Sequence, residues 1–421
     1  MKAELCFTLL LGVSLPALTQ CRKADESPVA PEAVATEAAD QASAPSSEGI
    51  LSASPGDASA LIAQHLARTG AVRLRDGDVF RLSRGIVLGN GQSLSGAAVL
   101  VPDFEHPVEH SGNTAIQIQG RDIRVEGVEI RKPFVDGSYG IGVAVRPGSR
   151  NIAIRNVTIS GYSARYGILA VESSELEISG CEVRDFMMNA AADMISDSPA
   201  GICLKRCTNA IVSNNRIFRI EAGPEGRESV SPLSPKYGRQ GYQPDHLFIG
   251  QCVAVSVVGN VMETSGEGID VLLSSNCTIS GNVIRDIWFQ GIKMLGVSST
   301  TVDGNFISDC YQGVGLATHS KFNAECENNV ISDNVILNTG SPGSFGVPGP
   351  GRVKFGTTAG IDLHDTSKNN IVANNLIRNT SAEAVLEVPI SGNLAANLVE
   401  GNLVPETAVP SAGSGAGSVG N

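Results

Sequence analysis

Between Tyr242 and Lys293 the chain gathers residue types that move protons and balance charge: Tyr242, Asp245, His246, Glu267, Asp270 and Lys293. Histidine has a reference pKa of about 6.5, so His246 suits the acceptance of a proton near neutral pH. Asp245, Glu267 and Asp270 are acids from successive repeats, too close to be indifferent to one another. Either one of the three carboxyls stays protonated, or together they hold Ca²⁺ through oxygen ligands. The plainer readings stand beside these: an incidental histidine, solvated acids, and Lys293 as an ordinary ion-pair partner.

Strands must position these residues. PDHLFIGQ, EGIDVLLS and QGIKMLGV begin at Pro244, Glu267 and Gln290, and YGILAVE, AGICLKR, QGVGLAT and AGIDLHD repeat the pattern. Alternation puts Ile269 and Val271 inward with Asp270 outward, and Ile292 and Met294 inward with Lys293 outward. Strands stacked about 4.8 Å apart then align Phe248, Asp270 and Lys293 in one outward row. Carried back two residues, the same alternation predicts a second outward row: Gly167, Gly201, His246, Gly268, Gly291, Gly313 and Gly360. A single histidine among glycines marks His246 for function.

The strands belong to a repeat. The pattern apolar-x-x-Asn-x-apolar places asparagine at Asn215, Asn260, Asn282, Asn305, Asn334, Asn375 and Asn402, with Val128, Val157 and Cys181 at the same place earlier. Intervals of 22 and 23 residues separate Asn260, Asn282 and Asn305. A period in this range, with short β segments and no helical pattern between them, predicts an all-β solenoid of the parallel β-helix kind. The asparagines read as an inward, structural ladder. Two excursions, EAGPEGRESVSPLSPKYGRQGYQP before Asp245 and GSPGSFGVPGPGRVKFGTT before Asp362 and His364, enter the same strand line and would wall a groove along it. Asp362 and His364 are expected at a remote subsite or on plain surface.

A formal charge of −12 over 421 residues argues against nucleic acid as a partner, because phosphate binding needs a net or local basic surface. A polyanionic ligand would need a local patch of Lys and Arg, or a bridging cation. Residues 1–21 resemble an export signal, and Leu18-Thr19-Gln20-Cys21 resembles a lipoprotein processing box. The expectation is therefore an exported protein (periplasmic, outer-membrane lipoprotein or extracellular), attached through a lipid on Cys21 or released by ordinary cleavage. Residues 22–56 read as a disordered tether, 57–404 as one domain and 405–421 as a disordered tail. Asp57 to Gly70 reads as a short capping helix over the core. Cys207 and Cys252 are expected to stack on adjacent coils, as buried thiols or as a disulfide. A monomer is expected.

The cap helix, the glycine-rich first coils and the Asn-punctuated repeats together resemble the pectin-lyase-like superfamily over roughly residues 58–404. This resemblance implies a right-handed parallel β-helix that binds polysaccharide along the strand line. Locally the chain is most similar to the mannuronan C5-epimerases, whose site has a tyrosine, Asp-Pro-His on one coil and an aspartate on the next. Here Tyr242 precedes Pro244-Asp245-His246 and Asp270 follows, with Pro and Asp transposed.

What the resemblance implies is abstraction of the C5 proton of a uronate in an acidic polysaccharide, ending in β-elimination or epimerisation. His246 would be the base, with Tyr242 protonating the leaving oxygen or the opposite ring face. Asp245 and Asp270 complete the catalytic set, and Asp245, Glu267 and Asp270 are the candidate calcium ligands. Lys293, Arg239, Lys205 and Glu267 would bind substrate, and Trp288 and Phe289 would offer a sugar platform. Two rivals stand beside this. One is an inverting glycoside hydrolase built on two of the three acids at roughly 6.5–9.5 Å. The other is a non-catalytic carbohydrate-binding surface protein.

Overall fold

The computed structural model describes residues 50–54, 56–104, 114–132, 140–161, 164–188, 199–222, 244–340, 359–364, 366–379 and 388–404. The export signal, Cys21, Arg239 and Tyr242 lie outside these, as do most of both excursions. Among the described residues no helix is long and apolar enough to cross a membrane.

The chain winds into coils with three faces. One face is a sheet of thirteen strands, running from Ile50–Leu51 through Arg150–Arg155 and Val253–Val258 to Leu398–Glu400. The other two faces form a second sheet of twenty strands. One of them contains Thr158–Ser160, Arg216–Ala222 and Val261–Ser265. The other contains Ala200–Lys205, Asp245–Gly250 and Glu267–Leu272, and carries the residues of interest. In Val283–Leu295 and Phe306–Ala317 a single strand runs through both faces. Each strand pairs in parallel with its counterparts one coil away. This right-handed parallel β-helix is the fold the repeat and the resemblance imply.

Apolar residues from all three faces fill one continuous core. Helix Ala58–Thr69 closes its N-terminal end. Asp57 caps it by accepting the Ser59 N–H at 2.9 Å, Gly70 stops it at φ +74°, and Ile62 and Leu66 face the first coils.

The asparagine ladder sits at one corner. Asn260 Oδ1 accepts from the backbone N–H and from Nδ2 of Asn215 at 3.0 and 2.9 Å, and the pattern repeats from coil to coil as far as Asn402. The residue before each ladder asparagine is left-handed: Gly259, Gly281, Gly304 and Gly401, but also Asn214, Asp333 and Asn374. Only Gly, Asn and Asp enter that region cheaply, which accounts for the recurring Gly-Asn, Asp-Asn and Asn-Asn pairs. A second ladder, Thr300, Asn329, Asn370 and Asn397, stabilises another corner. Cys207 and Cys252 do stack on adjacent coils, with the Cys207 N–H donating to Cys252 Sγ at 3.3 Å, and both are free, buried thiols.

Candidate functional site

A corner decides where each side chain points. Strand Val261–Ser265 gives way at Gly266 to strand Glu267–Leu272. Alternation holds from Val271 back to Ile269 and then breaks. Glu267 and Asp270, three residues apart, both reach Lys293, whereas a Cβ on Gly268 would press on core atom Ile284 Cγ2 at 2.7 Å. The glycine row therefore faces inward. A Cβ on Gly201, Gly291, Gly313 or Gly360 would likewise stand 2.4–2.6 Å from the branch methyl of Ile217, Ile307, Ile336 or Ile377.

His246 belongs to that inward row, and the expectation of an outward proton acceptor is corrected. Its ring is fully buried, and Nε2 donates to the carbonyl oxygen of Glu263 at 3.0 Å. Two exchanges make room for it. Met262, unbranched, stands in register where Ile217 and Ile284 stand on neighbouring coils, and Ser265 replaces Ile220 and Ile287. Burial pushes the imidazole down to about 4, so it is neutral across the physiological range. His246 and the acids face opposite sides of the wall.

What faces outward is a cluster of acids closed by a lysine. Asp245 pairs in register with Glu267, and Phe248, Asp270 and Lys293 form the predicted row. Lys293 Nζ donates to Glu267 Oε1 and Oε2 at 3.1 and 3.0 Å and to Asp270 Oδ2 at 3.1 Å. Oxygens of Asp245, Glu267 and Asp270 lie within 4.8 Å of one another, closer than the ~6.5–9.5 Å gap in which an inverting pair holds its water. Glu267 is 0% exposed and Asp245 1%, while Asp245 Oδ1 and Asp270 Oδ1 are buried without a hydrogen-bond partner.

Fully ionised, three carboxylates and one ammonium would sum to −2 in a nearly dry site, which low dielectric forbids. The protonation states adjust. Burial, reinforced by the charges of Glu267 and Asp270, pushes Asp245 well above the usual carboxylate range. Glu267 rises to about 7, its burial outweighing the opposing pull of Lys293. Burial alone would lower Lys293, but Asp270, Glu267 and Asp245 reverse this and hold it firmly protonated. The result is a neutral acid, a carboxyl poised near neutrality and a fixed cation, side by side.

The calcium reading meets a resident cation. Lys293 takes both oxygens of Glu267 and one of Asp270. That leaves Asp245 Oδ1 and Asp270 Oδ1 unpartnered, against the six to eight oxygens calcium takes. As arranged, the three acids do not fit a calcium ion while the ammonium stands among them.

The other expected residues distribute along the same face. Lys205 lies one coil earlier, its Nζ donating to the Tyr166 hydroxyl at 3.2 Å and resting 5.7 Å from the Phe248 ring centroid. Phe289 stacks on Tyr311 one coil later, with centroids 6.0 Å apart. Trp288 lies beside Phe289 in strand Val283–Leu295. Asp362 is in the Lys293 row two coils on, accepting from the Ser391 hydroxyl at 2.7 Å, and His364 is exposed. Sequence reading passed over His319. It follows strand Phe306–Ala317, and its imidazole, lowered by burial, also feels Asp270 and Lys293. A histidine two residues past a Gly-x-Gly strand gave no pattern to catch it.

A search of curated proteins found no match. The fold is shared with solved structures of low identity. The A-module of a mannuronan C-5 epimerase from Azotobacter vinelandii is 14% identical, with 84% of this chain and 96% of that one covered at a TM-score of 0.53. The Dettilon tailspike protein is 16% identical, covering 82% and 67% at 0.54. The DFA-IIIase of Arthrobacter chlorophenolicus, solved in complex with GF2, is 10% identical, covering 82% and 90% at 0.58. The family model for the right handed beta helix region matches residues 85–224 and 243–404, and with that match spanning most of the chain, the protein belongs to the right-handed β-helix family.

Proposed function

We propose that this chain is an exported enzyme that lays an acidic, uronate-containing polysaccharide along the outer strand row and abstracts a C5 proton, by β-elimination or epimerisation. The observation that carries the reading is the outward cluster of Asp245, Glu267, Asp270 and Lys293, buried and charged yet with two carboxyl oxygens left without partners. Structural likeness to a mannuronan C-5 epimerase, to a periplasmic alginate epimerase and to a tailspike protein solved with a pentasaccharide supports the substrate class.

In this reading the substrate carboxylate is met by protonated Asp245 and by Lys293. Their hydrogen bonds lower its charge, acidify the adjacent C5–H and stabilise the charge that builds on the carboxylate in the transition state. Glu267, poised at about 7, accepts the proton. Asp270 holds Lys293 in place. Tyr242, for the leaving oxygen or the opposite ring face, and Arg239, for a substrate carboxylate, complete the proposal and lie outside the described residues.

A panel of uronate polymers tests this, with ultraviolet absorbance reading elimination and solvent deuterium at C5 reading epimerisation. Loss of a general base of this kind removes roughly 10²–10⁴-fold in rate, so Glu267→Gln should fall by that order with its circular dichroism unchanged. Undiminished turnover in that variant would end the assignment.

A further inference from the structure

The coil after the acid cluster is built differently from its neighbours. Ser265, Ile287 and Cys310 are in register, as are Gln290 and Gln312. Two positions separate Ser265 from Glu267 and Cys310 from Gln312, but three separate Ile287 from Gln290. Trp288-Phe289 therefore holds one extra residue, a bulge that breaks the register between Ile287 and Gln290. Such bulges re-aim side chains beside functional sites.

Just past the bulge, the row that reads Asp245 and Glu267 on two coils reads Gln290 and Gln312 on the next two. Glutamine keeps the length of glutamate and drops the charge. Gln290 Nε2 donates to Gln312 Oε1 at 2.7 Å. The same amide lies over Gly315, where a Cβ would stand 2.3 Å from Nε2. Gly315 follows Lys293 in the outer row, so Gln290 reaches across the row at the next step along the groove, and only glycine admits it. Phe289 and Tyr311 stack beside it as an apolar wall.

We infer that Gln290 is a specificity residue that reads the sugar next to the reacting one, and that this neighbouring sugar is uncharged. The inference rests on the uronate reading above and deepens it. An amide offers a hydroxyl or acetamido group both a donor and an acceptor, and ring faces suit the apolar face of a neutral pyranose. A second carboxylate at this step would be desolvated against amides, while the nearest cation in the row, Lys293, is already committed in that reading to the carboxylate of the reacting uronate. The substrate is thus a heteropolysaccharide in which a uronate is followed by a neutral hexose or N-acetylhexosamine.

Calorimetric binding decides it, using a hexasaccharide that alternates glucuronate with N-acetylglucosamine and a hexamer of mannuronate alone. The full chain should bind the alternating oligomer at least tenfold more tightly. Gln290→Lys should reverse that order, and Gly315→Ala, which displaces the Gln290 amide, should weaken the alternating oligomer about tenfold and leave the homopolymer unchanged. Equal affinities, a preference for the homopolymer, or variants that shift both oligomers alike would overturn the inference. Because binding is read apart from turnover, an alternating oligomer that binds as expected and is never converted defeats the proposed chemistry while leaving this assignment standing.

Discussion

The asparagine ladder and the cluster around Lys293 are both buried sets of polar side chains, and they are finished to different degrees. Along the asparagine ladder Oδ1 accepts twice from the preceding coil, while Nδ2 donates to its neighbour and to a carbonyl such as Val212 O or Val257 O. Around Lys293 three acids crowd within 4.8 Å of one another and two of their oxygens are left without partners. A closed network stabilises a corner and does nothing else. An open one costs stability, and a bound ligand, water or ion can offset that cost. Burial does not tell the two sets apart, because both are buried; the crowding of like charges around Lys293 does.

The largest effect should come from removing the one cation of the open set. Lys293→Met strands buried carboxylates, which costs about 3–5 kcal/mol when one partner of a buried pair is lost, and it should abolish turnover. Urea midpoints at two pH values check it. The loss should be greatest above pH 7 and shrink as Glu267, poised at about 7, takes up its proton. The same variant empties the cage, so millimolar calcium should raise its melting temperature and leave the natural protein unmoved. A calcium response in the natural protein would show that Lys293 does not occupy the cation position.

Breaking the closed set should cost less and leave catalysis alone. Asn282→Ala removes the acceptor of the Asn260 N–H and Nδ2 and the donor to Val257 O. At roughly 1–3 kcal/mol for each stranded group that cannot reach water, about 2–4 kcal/mol is expected in denaturant unfolding, with kcat within twofold. A large loss of kcat with unchanged stability would erase the contrast between the two sets.

The ladder was legible in the sequence because it depends on one residue type at one period, and the left-handed residue before it leaves its own Gly, Asn or Asp mark. The row of Phe248, Asp270 and Lys293 was legible for the same reason: within a strand, alternation is strict. The inward turn of His246 was not, because alternation was carried through a corner where the chain bends between two faces. The signal that would have found it is at a distance. Position 262 is the place where the Ile or Val that follows each row glycine by about sixteen or more residues becomes a methionine, as in Ile217, Ile284 and Ile307. Nor did the strand pattern show that Glu267 and Asp270 share a side, since that too needs the corner. Gln290 gained meaning only from its place over Gly315.

The smallest effects test the corner itself. His246 falls from 6.5 to about 4 on folding, so its contribution is fully present above pH 6.5 and lost as pH drops toward 4, about 3 kcal/mol in all at 1.36 kcal/mol per tenfold change. Glu267 works in the opposite sense, its raised value making the fold more stable as pH falls from 7 toward 4.5. Comparison of the natural protein with His246→Gly cancels that term and leaves the histidine's acid loss alone. His246→Gly should also open a cavity, and Met262→Ile alone should crowd the ring, each costing about 1–3 kcal/mol. Combined, they restore the glycine–isoleucine pair of neighbouring coils, so the double variant should recover at least about 1 kcal/mol relative to the sum of the singles. Its turnover should match the natural protein, because an imidazole on the core side of the wall touches no substrate. A double variant that folds well and is dead would return His246 to the groove.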